Sequence, residues 1–588
     1  MVNIAILGPT LRILDNPALH FSASESISSN KAGPTLALYV EDPTQRLPGA
    51  AYTWWTRQSL PLLRRKLHKL NIPLLCLRAS YPTIAKVLTT WNYDTDEDMS
   101  VHNVYVNMRW GGSTGEEDAT FSDIMAKSKI HVHTYLAQTI HEPWSLKTGQ
   151  GGYYRKYTPF QSRFTSLHPT LHEAPPSFND NSRADKVFDS LQKHFTAYDH
   201  VNVLDWANPS EDYQPAWASQ FSWQPGEDQA HEVLRAFLQE RVSQYQEARD
   251  IPFESGTSQL SPYLAHGEIS PNRVLSEASK LRSKLKESKD KLAMTSLDTF
   301  VKELVWREFN YHLLYHEPHL STQNHNSAFD SFSWSEIAGK DLVEQAILQG
   351  LPTSNQNDMQ SLNALASFEC WKSGHTGFPL IDAGMRQLWK SGWMHNRIRM
   401  VVASFLTKNL QIHWTLGEEW FWDTLVDADP ANNPGNWQWV AGTGADAAPY
   451  FRIFSPLRQA ERFDERCAYV RKWVPELKSA ATRDILKLYD SNEALDSDYT
   501  DRALKAPSPA STWIGMINAG SRKASDTSLE SHNWFRASLI SVEEKQYHGE
   551  ITSLKQSRDV ALNRYKRKAT SGQTPNQTGE TSTKKIKS

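Results

Sequence analysis

The chain is poor in the features that mark most enzyme classes. Its three cysteines in 588 residues, Cys76, Cys370 and Cys467, stand too far apart for a zinc site or a disulfide framework, which favours a reducing compartment. No run of about eighteen apolar residues occurs, so no membrane span is expected. The apolar start Met1-Val2-Asn3-Ile4-Ala5-Ile6-Leu7 lacks a basic n-region and meets Gly8-Pro9 at once, so it reads as a buried first strand and not as a signal peptide. No Gly-x-Gly-x-x-Gly follows that strand, which argues against a nicotinamide fingerprint. The near match Gly442-Thr443-Gly444-Ala445-Asp446-Ala447 lies in a helical, Trp-rich region and is set aside. The net charge is −3, so a nucleic-acid surface must be a local basic patch.

What is present is aromatic. Twenty-one tryptophans exceed the usual needs of core packing and leave two readings: extra core and interface rings, or surfaces that stack on bases or an aromatic cofactor. With 588 residues, 39% of them apolar, two or more domains are expected. Residues 1–165 alternate short strands (Ile4–Leu7, Thr35–Val40, Leu74–Leu77, Asn103–Val106, His131–Thr134) with helical patterns such as Thr53–Leu70. That predicts an α/β domain with a doubly wound, mostly parallel sheet. Residues 166–226, rich in Pro, Ser, Asn and Asp, read as a linker wrapping the surface. Residues 227–478 carry helical periodicity and predict a large all-α domain, with Pro379 opening one helix and Gly392 closing it. A polar stretch, 335–362, interrupts it. Residues 479–588 read as a C-terminal extension with one short helix, Leu554–Lys566, before a disordered basic tail.

Four segments carry chemistry. Arg12-Ile13-Leu14-Asp15-Asn16-Pro17-Ala18-Leu19 follows the first strand and by itself is a βα loop with a helix cap. Tyr245…Arg249-Asp250 and Gly256-Thr257-Ser258-Gln259-Leu260-Ser261-Pro262 gather hydroxyls and N–H groups at a helix start, where phosphates bind or where the helix is merely capped. Glu303, Trp306, Arg307 and Asn310 share one side of a helix. Trp393-Met394-His395-Asn396-Arg397-Ile398-Arg399-Met400, Asp427-Ala428-Asp429-Pro430-Ala431-Asn432-Asn433 and Trp437-Gln438-Trp439 crowd aromatics, arginines, amides and acids together. Arg399 and Asp427 also fit an ordinary buried ion pair. None of this has metal-ligand spacing or an activated nucleophile.

Together these motifs resemble the photolyase/cryptochrome family, most of all class I-type cyclobutane pyrimidine dimer photolyases. Trp54-Trp55-Thr56-Arg57-Gln58-Ser59-Leu60 and Thr148-Gly149-Gln150-Gly151-Gly152-Tyr153-Tyr154-Arg155-Lys156-Tyr157-Thr158-Pro159-Phe160 are similar to further family segments. The resemblance implies an α/β antenna domain followed by an all-α FAD-binding domain. It implies light-dependent repair by a deoxyribodipyrimidine photo-lyase, in which reduced FAD donates an electron under blue or near-UV light to split cyclobutane pyrimidine dimers.

The resemblance also implies roles. Flavin contacts fall on Tyr245, Thr257, Ser258, Gln259, Leu260, Ser261, Phe300, Arg307, Arg399, Asp427, Ala428, Asp429 and Asn433. Lesion contacts fall on Glu303, Trp306, Asn396, Met400 and Trp439, and DNA contacts on Arg249, Glu303, Arg307, Asn310, Asn396, Arg397 and Gln459. Trp437, Trp414 and Trp334 are expected to conduct electrons, the last by counting across the 335–362 stretch; the alternative is a truncated wire. Asn433 matches the position facing flavin N5, where Asn favours repair over signalling, and His395-Asn396 stands where (6-4) enzymes carry a His pair.

The loop Asn107-Met108-Arg109-Trp110-Gly111-Gly112 departs from family versions, which leaves open both whether an antenna pigment binds and whether it is methenyltetrahydrofolate or 8-hydroxy-5-deazaflavin. The expected partner is DNA containing pyrimidine dimers, with no metal and no membrane, bound by a monomer in the cytoplasm or, in a eukaryote, the nucleus. A cryptochrome-type blue-light photoreceptor signalling through a partner is the alternative. The basic clusters Lys566-Arg567-Lys568 and Lys584-Lys585-Ile586-Lys587 keep it open.

Overall fold

The structure, a computed structural model, describes residues 2–489 except 29–32, 97–98, 113, 165–169, 178–181, 209–212, 340, 343–344, 346–354 and 451, and it resumes at 551–571. Five strands pair in parallel: β1 (Val2–Ile6), β2 (Thr35–Glu41), β3 (Leu74–Arg78), β4 (Val101–Asn107) and β5 (His131–Tyr135), in the order β5-β4-β1-β2-β3. A short β6 (Asn202–Val203) closes the β3 edge in the antiparallel sense. Successive strand residues point to opposite faces. Ile4, Ile6, Leu36, Leu38, Val104 and Val106 therefore enter one core, with Trp91, Leu191 and Phe195. Ala5, Leu7, Ala37, Tyr39 and Tyr105 enter another, with Leu19, Leu60, Leu63 and Leu67. With both faces covered by helices, the sheet is doubly wound as the alternation predicts.

The supposed linker does more than wrap. Ser182–Thr196 is an amphipathic helix that buries Val187, Leu191 and Phe195 against the sheet, and β6 follows it.

From Glu227 to Tyr489 the described residues form helices and no strand. The longest, Lys291–His316, runs 26 residues and is capped by the Asp290 carboxylate, which accepts from Ala293 N at 3.0 Å. Pro379–Ser391 opens and closes where the sequence predicts, with Gly392 in the left-handed region at φ 66°. The polar interruption ends sooner than expected, because Asn355 caps a helix over Gln356–Ser373.

The last helix, Leu554–Ser571, is longer than expected and belongs to this domain. Ile551 N donates to Thr376 O at 3.0 Å, Asn409 Nδ2 to Ser557 Oγ at 3.0 Å, and Tyr565 stacks on Tyr450 with centroids 5.1 Å apart. The extension expected from residue 479 is thus partly domain core, since Tyr489 and Ile551 enter one apolar cluster. The expected tail, 572–588, lies outside the described residues. Among the described residues no helix is long and apolar enough to cross a membrane.

The two domains are locked through the Arg12 motif. The fully buried Arg12 guanidinium donates to Asp15 O at 2.7 Å, Ala137 O at 2.8 Å and Gly267 O at 2.9 Å. The Glu227 carboxylate accepts Leu14 N at 2.7 Å.

Nearby, the fully buried Glu268 accepts from Ser59 Oγ at 2.6 Å and Gly226 N at 2.7 Å, and burial pushes its carboxyl up to about 8. A folded pKa above the unfolded one means the native state holds the proton longer. Stability is therefore full below the unfolded value and falls as pH rises through the folded one, roughly from pH 5 to 8. Glu268→Gln keeps the shape and removes the titration. Thermal unfolding of parent and variant should diverge over that window, with the parent losing more. Parallel pH profiles would refute the assignment.

Candidate active site

Five segments of the helical domain converge on one cavity of about 490 Å³: the 256–261 loop, one face of Lys291–His316, Trp393–Met400, Asp427–Asn433 and Asn436–Val440. The 256–261 loop lies tight because Gly256 has no side chain; a Cβ there would sit 2.4 Å from Ala248 O. Gln259 takes φ 57°, and Trp393 Nε1 donates to Ser261 Oγ at 3.2 Å. Tyr245, Thr257, Ser258, Leu260 and Phe300 line the cavity with them.

At the far wall, Arg399 Nη2 meets both Asp427 oxygens at 2.8 and 3.1 Å, and its Nε donates to Met394 O at 2.7 Å. The Asp427 side chain is 2% exposed, so this is a buried pair. Asp429 is more committed than expected. Its Oδ1 accepts from Ala431 N, Asn432 N and Asn432 Nδ2 at 2.7–2.9 Å, and its Oδ2 from Tyr311 Oη at 2.9 Å. It caps the Asn432–Ala441 helix and has only Oδ2 capacity to spare for a ligand.

Asn433 is oriented by a residue that sequence reading missed. Its Nδ2 donates to Glu418 Oε1 at 2.8 Å and Glu418 O at 3.1 Å, which leaves the amide oxygen for the cavity. Glu418 in turn pairs with Arg46 of the α/β domain at 2.8 and 2.9 Å. Burial pushes its carboxyl up, and Arg46 opposes that.

The mouth is aromatic and charged. Glu303 pairs with Arg249, whose guanidinium lies over Tyr245. Trp306, Trp439, Asn396 and Met400 line the same space, with Asn396 exposed. Asn310 donates to Asn432 Oδ1 at 2.8 Å. His395 caps the Asn396–Ser404 helix through Nδ1, and burial pushes its ring down to about 4, so it is neutral.

Some predicted residues lie elsewhere. Arg307, expected also at DNA, is buried against the domain seam, donating to Gln138 O at 2.6 Å beneath Tyr311; it borders the cavity but cannot reach a backbone outside. Ala428 turns away from this cavity. Arg397 pairs with Asp250 at 2.8 Å, and Gln459 is half-buried; neither lines the cavity.

Of the three electron-transfer candidates, Trp437 lines the cavity. Trp414 donates to Asn324 Oδ1 at 2.8 Å, and His413 bridges it to Trp334 with centroids 5.7 and 5.1 Å apart. Trp371, fully buried, meets Trp437 edge-on at 6.2 Å and was not foreseen.

A second cavity of about 230 Å³ opens at the carboxyl ends of β1, β2 and β4, where the strand order reverses. Tyr39, Tyr52, Tyr81, Trp110 and Ala428 line it, and Arg109 lies over Tyr81, paired with Asp42, Glu117 and Asp118.

Known proteins are similar to this chain in sequence and in fold. A family model for DNA photolyase matches residues 9–177, and one for the FAD binding domain of DNA photolyase matches residues 300–567. The chain is 38% identical to the deoxyribodipyrimidine photo-lyase of Agrobacterium fabrum, over 82% of this chain and 88% of that protein. Arabidopsis thaliana cryptochrome-2 is 28% identical over 82% of this chain and 71% of its own length. A class III photolyase from Agrobacterium tumefaciens superposes with a TM-score of 0.70 at 33% identity, covering 97% of this chain and 98% of that one. This neighbour is of class III, whereas the motifs resemble class I members. The chain belongs to the DNA photolyase family.

Proposed function

We infer that this chain repairs DNA in the light, as a deoxyribodipyrimidine photo-lyase that uses FAD. The observation that carries the reading is one cavity with a flavin-type donor set inside and aromatic walls, a carboxylate and an amide at its mouth. The inner residues fit FAD. Thr257, Ser258, Gln259, Leu260 and Ser261 line the cavity with hydroxyls and an amide, and the enclosed Arg307 Nη2 has no partner among the described residues. Bound there, FAD supplies the light absorption and the electron that opens the dimer.

The chain's own residues bind and orient. Thr257, Ser258, Gln259, Leu260 and Ser261 would hold the diphosphate, Tyr245 and Phe300 would pack on the cofactor, and Arg399, Asp427 and the remaining acceptor of Asp429 would hold the flavin ring. Asn433, its Nδ2 held by Glu418, would offer its amide oxygen to the flavin. Trp306 and Trp439 wall a flipped dimer, a lesion that costs less to unstack than an intact base. Glu303, Asn396 and Met400 meet its edges. Arg249, Arg397 and Gln459 serve the DNA backbone, Asn310 meets DNA from the cavity, and salt should weaken the backbone binding. The second cavity supports an antenna pigment in the α/β domain. We assign residues 1–165 to that domain, 166–226 to its closing segment and 227–489 with 551–571 to catalysis, in a monomer acting in the cytoplasm or, in a eukaryote, the nucleus.

The test is direct. Reduced protein illuminated with a dimer-containing oligonucleotide should lose dimers under blue light and not in darkness. No light-dependent loss would overturn the reading and favour a cryptochrome, the second reading, which the 28% identity to a plant cryptochrome motivates.

The wire has its own test. Trp334→Phe should slow photoreduction of oxidised FAD severalfold and leave repair by pre-reduced protein unchanged. Unimpaired photoreduction would move the exit to another ring, Trp371 first.

A further inference from the structure

We propose that Tyr157, from the α/β-domain segment, is a positioning residue that sets the lesion wall Trp306 and ties it to the opposite wall, Trp439. The proposal rests on the reading that these two tryptophans flank the dimer.

The Tyr157 and Trp306 rings lie parallel within 2°, with centroids 3.6 Å apart. Free aromatic pairs prefer offset or edge-on arrangements over so complete an overlap. Something must hold this one. The Tyr157 hydroxyl donates to Lys302 O at 3.2 Å, one turn before Trp306 on the same helix. Its backbone N donates to Asp446 Oδ2 at 3.2 Å, and neighbouring Lys156 reaches Asp446 Oδ1 at 3.3 Å. Phe309 closes the pair edge-on from both rings, at 6.0 Å from Tyr157 and 5.9 Å from Trp306. Tyr157 is 8% exposed, whereas Trp306 lines the cavity. One face of the indole is thus covered by Tyr157, and the other is available to a base.

Asp446 connects the walls. It takes φ 50° in the loop that leaves the Asn432–Ala441 helix, which carries Trp439. That loop folds back on its helix, with Ala448 N donating to Trp439 O at 3.2 Å. The Gly442–Ala447 stretch, set aside as a dinucleotide motif, therefore acts mechanically, linking Trp439 to the backbone of Tyr157 and Tyr157 to Trp306. A helix-borne indole with one free side can tilt. Fixed between a ring and a tether, it holds a constant distance from the opposite wall, which is what selects a splayed pyrimidine pair over an intact stack.

Full-length Tyr157→Leu and Tyr157→Phe, loaded with FAD, test this in the dark. The readout is the ratio of affinities for dimer-containing and undamaged oligonucleotide, beside flavin absorbance, flavin photoreduction and Tm. Tyr157→Leu should lower the ratio roughly three- to tenfold, the scale of one aromatic pair, while undamaged-DNA affinity and both flavin readouts stay at parent values. Tyr157→Phe keeps the ring but loses the hydroxyl tether to Lys302 O, so its ratio should fall between those of parent and Tyr157→Leu. Should Tyr157→Leu not fold, Asp446→Ala reaches the same ring through its tether and should lower the ratio in the same direction. A parent-like ratio in the folded Leu variant, or in Asp446→Ala in its place, overturns the proposal. If the parent itself shows no preference for dimer DNA, the lesion-wall reading falls first and takes this proposal with it.

Discussion

Arg399→Met should give folded but nearly colourless protein. The substitution leaves the Asp427 side chain, 2% exposed, without its only ion-pair partner among the described residues. Removing one member of a buried pair costs about 3–5 kcal/mol, because the remaining charge is desolvated and uncompensated. Part of that appears as a lower Tm. The rest appears in cofactor binding, since a lone carboxylate at the ring edge must either repel the flavin or take up a proton. Retention of FAD should weaken by about two orders of magnitude, near 3 kcal/mol. The double change Arg399→Met with Asp427→Leu separates the two effects: apolar replacement of both partners should restore Tm without restoring FAD. Flavin absorbance per chain after gel filtration, with thermal unfolding, measures both. Full flavin content in Arg399→Met would remove this pair from the cofactor site.

Trp306→Ala should leave the protein yellow and take away its grip on damaged DNA. Stacking of a base on an aromatic ring contributes about 1–3 kcal/mol, so affinity for dimer DNA should fall by roughly one to two orders of magnitude. Affinity for undamaged DNA should barely move, because contacts to phosphates carry it. Repair at saturating DNA should fall less than binding, if the indole acts as a wall. A uniform loss on both DNAs would place Trp306 in the general backbone surface instead.

Much of the site was legible because its residues announce themselves locally. The strands are short apolar runs, Pro379 and Gly392 punctuate a helix, and the residues expected around flavin and lesion mostly do line one cavity. What was missed is non-local or masked by composition. The Ser182–Thr196 helix carries Val187, Leu191 and Phe195 at helical spacing, but Pro, Asn and Ser on either side hid it. Arg46, Glu418 and Asn433 are far apart in sequence, and no local pattern says that one carboxylate will orient the amide. Arg307 shares a helix side with Trp306, yet Gln138 O and Tyr311 draw its guanidinium into the seam, an outcome decided by the other domain. Asp429 was recognised as an acid near the cavity, but its first duty is to the helix it caps.

The return of the last helix has a practical side. Tyr489 Oη accepts from Leu380 N at 2.8 Å and Ile551 N donates to Thr376 O at 3.0 Å, so the chain leaves and re-enters the fold at the start of one helix. Tyr489 and Ile551, the described residues on either side of 490–550, thus share one socket. The socket is a natural place to splice in a foreign domain and carry it on a light-driven enzyme.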